Sequence, residues 1–162
     1  MKHKFILLTL MLMSFVGTVV AQGFEVSAEG IGPLKIMMPV SEIPKSVDGL
    51  YNRVENKGWY LLLYNGDDEV MRIETSDNNI GSIQAYDNAN VFVTINGKPY
   101  RLGSDVTSLR QSGKYMFWST TGSIQISYEL SLNLKIKDDH RGWTNILNSI
   151  KVSFYDPDDN EP

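Results

Sequence analysis

The chain contains no cysteine in 162 residues. That excludes a disulfide framework, thiolate-ligated zinc, iron–sulfur clusters and a cysteine nucleophile. Histidine is nearly as scarce, with only His3 and His140. Basic residues are neither abundant nor clustered: 15 Lys and Arg stand against 19 Asp and Glu, for a net charge of −4. Phosphate-backbone binding needs concentrated positive charge, so nucleic acid is disfavoured as a partner. No phosphate-cradling glycine loop is present, because Gly30-Ile31-Gly32 runs straight into Pro33. A Gly-x-Ser-x-Gly nucleophile elbow is also missing. What remains is 42% hydrophobic and 10% aromatic, too apolar for a disordered chain and of a length suited to one domain.

Only one long apolar run exists, from Phe5 to Val20, preceded by Lys2, His3 and Lys4 and followed by Val19-Val20-Ala21. Basic start, apolar middle and small residue at the end is the order of a secretory signal peptide. The run is short for a spanning helix, which needs about 20 residues. Cleavage after Ala21 leaves Gln22–Pro162, and loss of Lys2 and Lys4 moves the net charge from −4 to −6. Gln22 rather than cysteine follows the cut, so no lipid anchor is expected. The sequence therefore points to a soluble, secreted or periplasmic chain that does not span the membrane once processed, with His140 as its one histidine.

Within 22–155 the pattern is that of a single α+β domain: an antiparallel β-sheet packed with one or two short helices. Phe24, Val26 and Ala28 alternate as a strand, and Leu34-Lys35-Ile36 reads as a brief extended piece. Val40, Ile43, Val47, Leu50, Tyr51 and Val54 fall at helical spacing, with Ser41 as cap and Pro44 in the first turn. Gly49 interrupts that stripe. Trp59–Tyr64 is apolar on both faces, which predicts a central, doubly covered strand. Asn65-Gly66-Asp67-Asp68, Ser76-Asp77-Asn78-Asn79 and Asn96-Gly97 are hairpin signals between further strands. A second short helix is expected within Leu102–Leu109, capped by Ser104 or Asp105 and stopped near Gly113. Ile124 to Ile136 alternates apolar and polar throughout and is long for one strand, predicting a bend near Leu130–Asn133. Trp143–Ile150 is ambiguous, Lys151–Tyr155 reads as a closing strand, and 156–162 is an acidic, flexible tail.

Two nine-residue windows match at a constant offset of 66: Lys35–Ile43 and Arg101–Leu109. Base meets base, Ile36 meets Leu102, Val40 meets Val106, Ser41 meets Thr107 and Ile43 meets Leu109. A Gly/Pro turn precedes each window. The expectation is a tandem repeat of a helix-plus-strands unit, with half-repeats 22–96 and 97–155. This motif resembles the unit of the β-lactamase-inhibitor-like fold, carried once by SmpA/OmlA-type envelope proteins and in tandem by the β-lactamase inhibitory protein. With its Ala21-Gln22 junction the chain also resembles secreted Bacteroidetes proteins of unknown function. It departs from the pattern at Met37, where the motif has glycine, and in lacking a lipid-bearing cysteine and the inhibitor's disulfides. The resemblance implies a fold and a compartment, and carries over no binding residue.

Catalytic groups are sparse. His140 sits in the polar run Asp138-Asp139-His140-Arg141-Gly142 with no nucleophile motif to serve. Asp67-Asp68-Glu69 and Asp138-Asp139 lack EF-hand spacing, so no metal or other cofactor is expected. A carboxylate pair acting on a glycan or peptidoglycan is the alternative reading, and a structural envelope-assembly module a third. The aromatics are the stronger lead. Tyr115, Phe117 and Trp118 lie on a presumed strand, and Trp143 beside Arg141 in a presumed loop is expected to be the most exposed aromatic. Trp and Tyr supply binding area at low entropic cost. These five residues mark the expected binding surface of a non-enzymatic domain whose partner is a protein or another envelope component.

Overall fold

Short antiparallel strands joined by tight turns make up most of the computed structural model, which describes residues Gly23–Tyr155. The expected leader over 1–21 and acidic tail over 156–162 lie outside the described residues. The strands are β1 (Phe24–Ser27), β2 (Gly30–Ile31), β3 (Leu34–Lys35), β4 (Arg53–Asn56), β5 (Tyr60–Asn65), β6 (Asp68–Ser76), β7 (Asn79–Ala85), β8 (Val91–Ile95), β9 (Lys98–Arg101), β10 (Met116–Trp118), β11 (Ser123–Gln125), β12 (Leu130–Ile136) and β13 (Trp143–Ser153). Two short helices, α1 (Ile43–Ser46) and α2 (Thr107–Gln111), complete the set. The class is α+β with antiparallel sheets, as the sequence implies.

The strands form a five-stranded sheet, ordered β3-β2-β1-β8-β9, and an eight-stranded one, ordered β10-β11-β12-β13-β7-β6-β5-β4. All neighbours are antiparallel except β1 and β8, which run parallel. Both sheets feed one apolar cluster: Val26, Ile31, Leu34, Val91 and Val93 from the smaller, Leu63, Ile73, Ile83, Ile124, Leu132 and Ile150 from the larger. Ile43 of α1 and Leu109 of α2 are buried in the same cluster.

Turn chemistry decides where strands end. Asp77 (φ 48°) and Asn78 (φ 64°) both take positive φ between β6 and β7, and Asn96 (φ 52°) and Gly97 (φ 77°) do so between β8 and β9. Two successive positive φ values match the twist of the flanking strands. A division of the chain after Asn96 therefore falls inside the β8–β9 turn.

Several sequence expectations are corrected. The helical stripe from Val40 to Val54 is broken: a 3-10 turn at Val40–Glu42 leads into α1, Gly49 turns the chain at φ 71°, and Val54 belongs to β4. Pro44 does sit in the first turn of α1, but no side chain caps it, Ser41 included. Strand β5 is covered on both faces at Leu61, Leu62 and Leu63 yet lies second from the edge, with β4 outside it. The long alternation breaks just ahead of the expected place, at 126–129, where the Ile126 and Ser127 amides both donate to Leu130 O at 2.9 and 3.2 Å and Tyr128 at the tip is 74% exposed; a further register shift follows between Asn133 and Leu134. The ambiguous segment Trp143–Ile150 and the closing strand join as the single 11-residue β13. For α2 the N-cap position is Val106, which gives no side-chain cap; Asp105 Oδ1 accepts the first helical amide, Thr107, at 2.7 Å, whereas Ser104 Oγ accepts the Arg101 amide at 3.0 Å in the turn before the helix.

The strand order places β4–β7 on one side of the large sheet and β13–β10 on the other, in mirrored sequence. Contacts before each helix match as well. Met37 N–H donates to Ile80 O at 2.9 Å, and Gly103 N–H donates to Leu147 O at 2.8 Å. Val40 N–H reaches Asn78 O at 2.9 Å, and Val106 N–H reaches Asn145 O at 2.8 Å. Isolated bridges join Pro39 to Asn79 and Asp105 to Ile146. Met37, where the sequence departs from glycine, holds φ 67° beside Gly103 at φ 82°.

Candidate functional site

Cross-strand partners share a face of a sheet, so the registers alone trace what the large sheet turns away from its core. One row crosses all eight strands: Glu55, Leu62, Arg72, Gln84, Lys151, Ser131, Gln125 and Met116. At about 4.8 Å per strand this face is roughly 34 Å wide. Its partner rows hold Tyr60, Glu74 and Ser82 on one side and Ser149, Asn133, Ser123 and Trp118 on the other.

The middle of the face is a bonded polar belt. Glu74 Oε2 accepts the Ser82 hydroxyl at 2.6 Å and the Lys151 ammonium at 3.0 Å. The Ser82 hydroxyl first, then Lys151, holds the Glu74 carboxyl below the ordinary carboxylate range against a partial desolvation penalty. Ser149 Oγ accepts Gln84 Nε2 at 2.8 Å and Asn133 Nδ2 at 3.1 Å, and Ser123 Oγ donates to Asn133 Oδ1 at 2.7 Å. Ser82 and Ser149 are buried beneath these longer side chains. The belt is fixed in geometry, because each member is held by at least one other.

Apolar groups flank the belt. At one end Tyr60 meets Trp59 edge-on at 4.6 Å and lies under the Arg72 guanidinium at 5.3 Å. Arg72 also pairs with Glu69 at 3.2 Å, while its Nε is buried without a partner among the described residues. At the other end Met116, Trp118, Ile126 and Tyr128 line a cleft of about 390 Å³ together with Gln125 and Ser127. Met116, Trp118 and Tyr128 are 60%, 49% and 74% exposed. Tyr128 stacks on Tyr155 at 4.4 Å. Two of the cleft's polar side chains are already engaged: Gln125 Nε2 donates to the backbone oxygens of Ser127 and Tyr128, and Ser127 Oγ donates to Glu129. What the cleft presents is mainly hydrocarbon and aromatic surface, with the Trp118 indole N–H and the Tyr128 hydroxyl as its polar atoms.

Of the five residues the sequence nominated, Trp118 alone lines this cleft. Strand alternation points Phe117 the other way, where it packs on the core beneath Arg110, whose guanidinium lies 4.1 Å from the ring. Tyr115 also packs against the core, and its hydroxyl accepts Asn96 Nδ2 at 3.0 Å. Arg141 is exposed in the β12–β13 loop, its amide bonded to Asp139 Oδ1 at 2.9 Å. Trp143 corrects the expectation that it is the most exposed aromatic. It opens β13, is half-buried against the core and Gly122, and its Nε1–H donates to Ser119 O at 2.8 Å, whereas Trp59 and Trp118 are exposed. Trp143 thus supports the β10–β11 turn from behind.

The sequence nominated the strand that carries Met116 without nominating Met116 itself, and missed Gln125, Ile126, Ser127, Tyr128 and the belt as a whole. The signal was present in the polar positions of the Ile124–Ile136 alternation, but polarity alone does not distinguish a bonded belt from a solvated face. His140 takes φ 56° in an exposed turn, its amide donating to Lys137 O at 2.9 Å. Among the described residues no group of three or more His, Cys, Asp or Glu is placed to hold a metal ion. Nor does any helix among them have the length and apolarity to cross a membrane.

The fold and face together define an α+β protein built on two antiparallel-type sheets with an outward polar belt. No family model and no curated protein matches the chain. Among solved structures it is similar to the uncharacterized protein YfeY from Escherichia coli, with a TM-score of 0.52 and 17% identity over 80% of this chain and 99% of that one. At that identity the likeness shows the fold alone.

Proposed function

We propose that the outer face of the eight-stranded sheet is a protein-binding surface, and that the chain is a non-enzymatic domain acting outside the cytoplasm. The observation that carries this reading is the joint exposure of Met116, Trp118 and Tyr128 around one cleft at the end of a pre-bonded polar belt. Side chains already bonded to one another lose little freedom on docking, and an aromatic cleft supplies an anchor beside them. A face roughly 34 Å wide offers area of the order of 800 Å² per partner, the size of a standard interface. The cleft suits an apolar or aromatic side chain of the partner, since methionine, isoleucine and aromatic surface dominates its lining. The apolar run ahead of Ala21 supports export, with the periplasm or the outside of the cell as the compartment.

The finer architecture belongs to the same proposal: two copies of a hairpin, a short helix and a four-stranded meander, related by an approximate twofold. Mirrored strand order, the Met37/Gly103 turns and the matched bridges support it. In this reading β2–β3 corresponds to β8–β9, so the second copy begins at Val91, and β1 stands alone between the copies.

The experiment is site-specific crosslinking to purified envelope components, comparing Trp118→Ala and Tyr128→Ala with the parent chain. Loss of one saturable complex in both variants, at unchanged melting temperature, is the expected result. Equal yield from all three chains would reject the face.

A further inference from the structure

A second cleft, of about 480 Å³, lies between the start of β1, the loop from α1 to β4 and the loop from β7 to β8. Its volume falls in the range of small-molecule sites, about 300–1,000 Å³. None of its lining side chains is a carboxylate, ammonium, guanidinium or imidazole. Tyr51 is the sole lining residue with an ionisable proton. Its hydroxyl donates to Met71 Sδ at 3.4 Å, and burial pushes it up to about 12. The lining side chains are therefore uncharged throughout the physiological range and offer nothing to pair an amine, while the one cation in contact with them is Arg101 at Asn90.

Three asparagines from separate parts of the chain meet there: Asn65 at the end of β5, and Asn88 and Asn90 before β8. Each side-chain amide carries both an acceptor oxygen and a donor nitrogen. Asn90 Oδ1 takes a long bond from Arg101 at 3.4 Å, which leaves its amide nitrogen. Against these amides stand the apolar walls Phe24, Leu50 and Val70. Adjacent hydroxyls, each donor and acceptor at once, pair with amides in this way, and the C–H faces of a saturated ring pack on apolar walls.

We infer that this cleft binds an uncharged, hydroxyl-rich ring ligand, a free sugar or the exposed end of a glycan. The inference stands apart from the protein-binding reading of the sheet face, because the two sites share no lining residue. An extended peptide is the competing ligand for a set of amides, but it needs a strand edge or groove rather than a bounded cleft.

The test is a nitrogen-15 NMR titration of the purified protein with maltose, cellobiose and N,N′-diacetylchitobiose, each to about 50 mM, and separately with tetraglycine. The expected result is saturable shifts of the Asn65, Asn88 and Asn90 side-chain amides with at least one disaccharide, weakened at least about tenfold by Asn88→Ala. Asn88 is exposed in a loop, so that variant should keep the parent spectrum elsewhere. If it does not, the parent titration decides by which amides move. No shift at these amides with any disaccharide overturns the inference, as does movement with tetraglycine alone or binding that Asn88→Ala leaves intact. A glycan attached to a captured protein is separated from a free sugar by repeating the titration with that glycan released.

Discussion

Gln84 and Lys151 stand directly opposite each other in the β7–β13 ladder at the centre of the large sheet, and their side chains diverge. Gln84 donates to Ser149 on one side, while Lys151 crosses β7 to Glu74 on the other. The join between the two halves of the sheet is therefore held by side chains as well as by backbone. Each half supplies a buried serine to the arrangement, Ser82 or Ser149.

Glu74 makes this belt sensitive to acid. Its carboxyl is held below the ordinary range in the folded chain, so its contribution is complete above the unfolded value, about 4.3, and is lost as pH falls through the folded one. Ser82→Ala should cost about 1–2 kcal/mol at neutral pH and flatten the loss of stability between about pH 5 and 3. Urea unfolding at stepped pH measures both. An acid limb unchanged by the variant would assign that limb to other carboxylates.

The proposed twofold makes a paired claim about the core. In it Ile83 and Ile150 are counterparts; Ile83 pairs with Ile73, Ile150 pairs with Leu132, and both isoleucines are fully buried. Alanine at either site should cost about 3 kcal/mol, and the two costs should agree within about 1 kcal/mol. Denaturant titration of both variants checks this. A near-neutral result at one site with a full loss at the other would count against equivalence.

Met37 holds φ 67°, a region that side chains other than glycine enter at a cost, and it is 51% exposed. Met37→Gly should therefore raise stability by up to about 1 kcal/mol, with relief of strain exceeding the entropy glycine adds to the unfolded chain. Thermal melting shows the sign directly. A lower melting temperature would mean that the contacts of the Met37 side chain outweigh its strain.

Gly122 lies at φ 67° against the Trp143 indole, and any Cβ there would collide with the ring. Gly122→Ala should displace Trp143 from Ser119, shift its fluorescence towards longer wavelength and destabilise by about 2 kcal/mol or more. Unchanged emission would show that the indole is not confined as described. Trp118→Ala, by contrast, removes an exposed ring and should change stability by no more than about 0.5 kcal/mol.

Local chemistry was the legible part of this sequence. Asn65-Gly66, Asp77-Asn78 and Asn96-Gly97 announce their turns because few residues accept positive φ, and the strands between them follow. The stripe from Val40 to Val54 misled because loop residues Leu50 and Tyr51 and the strand residue Val54 continue a helical spacing by coincidence. Trp143 was misread from its charged neighbours, although its exposure is set by Gly122 across the sheet, twenty-one residues away in sequence. The belt was illegible for a similar reason. Gln84 meets Ser149 only once strands 65 residues apart are paired, and no local pattern encodes that meeting.

The most direct test of the binding surface places a photocrosslinking amino acid at Tyr128, on the cleft, and at Asp87, in the exposed β7–β8 turn, and irradiates each chain with envelope components. The account predicts a discrete protein adduct from position 128 that Trp118→Ala abolishes and that position 87 does not give. No adduct at 128, or the same adducts from both positions, would contradict it.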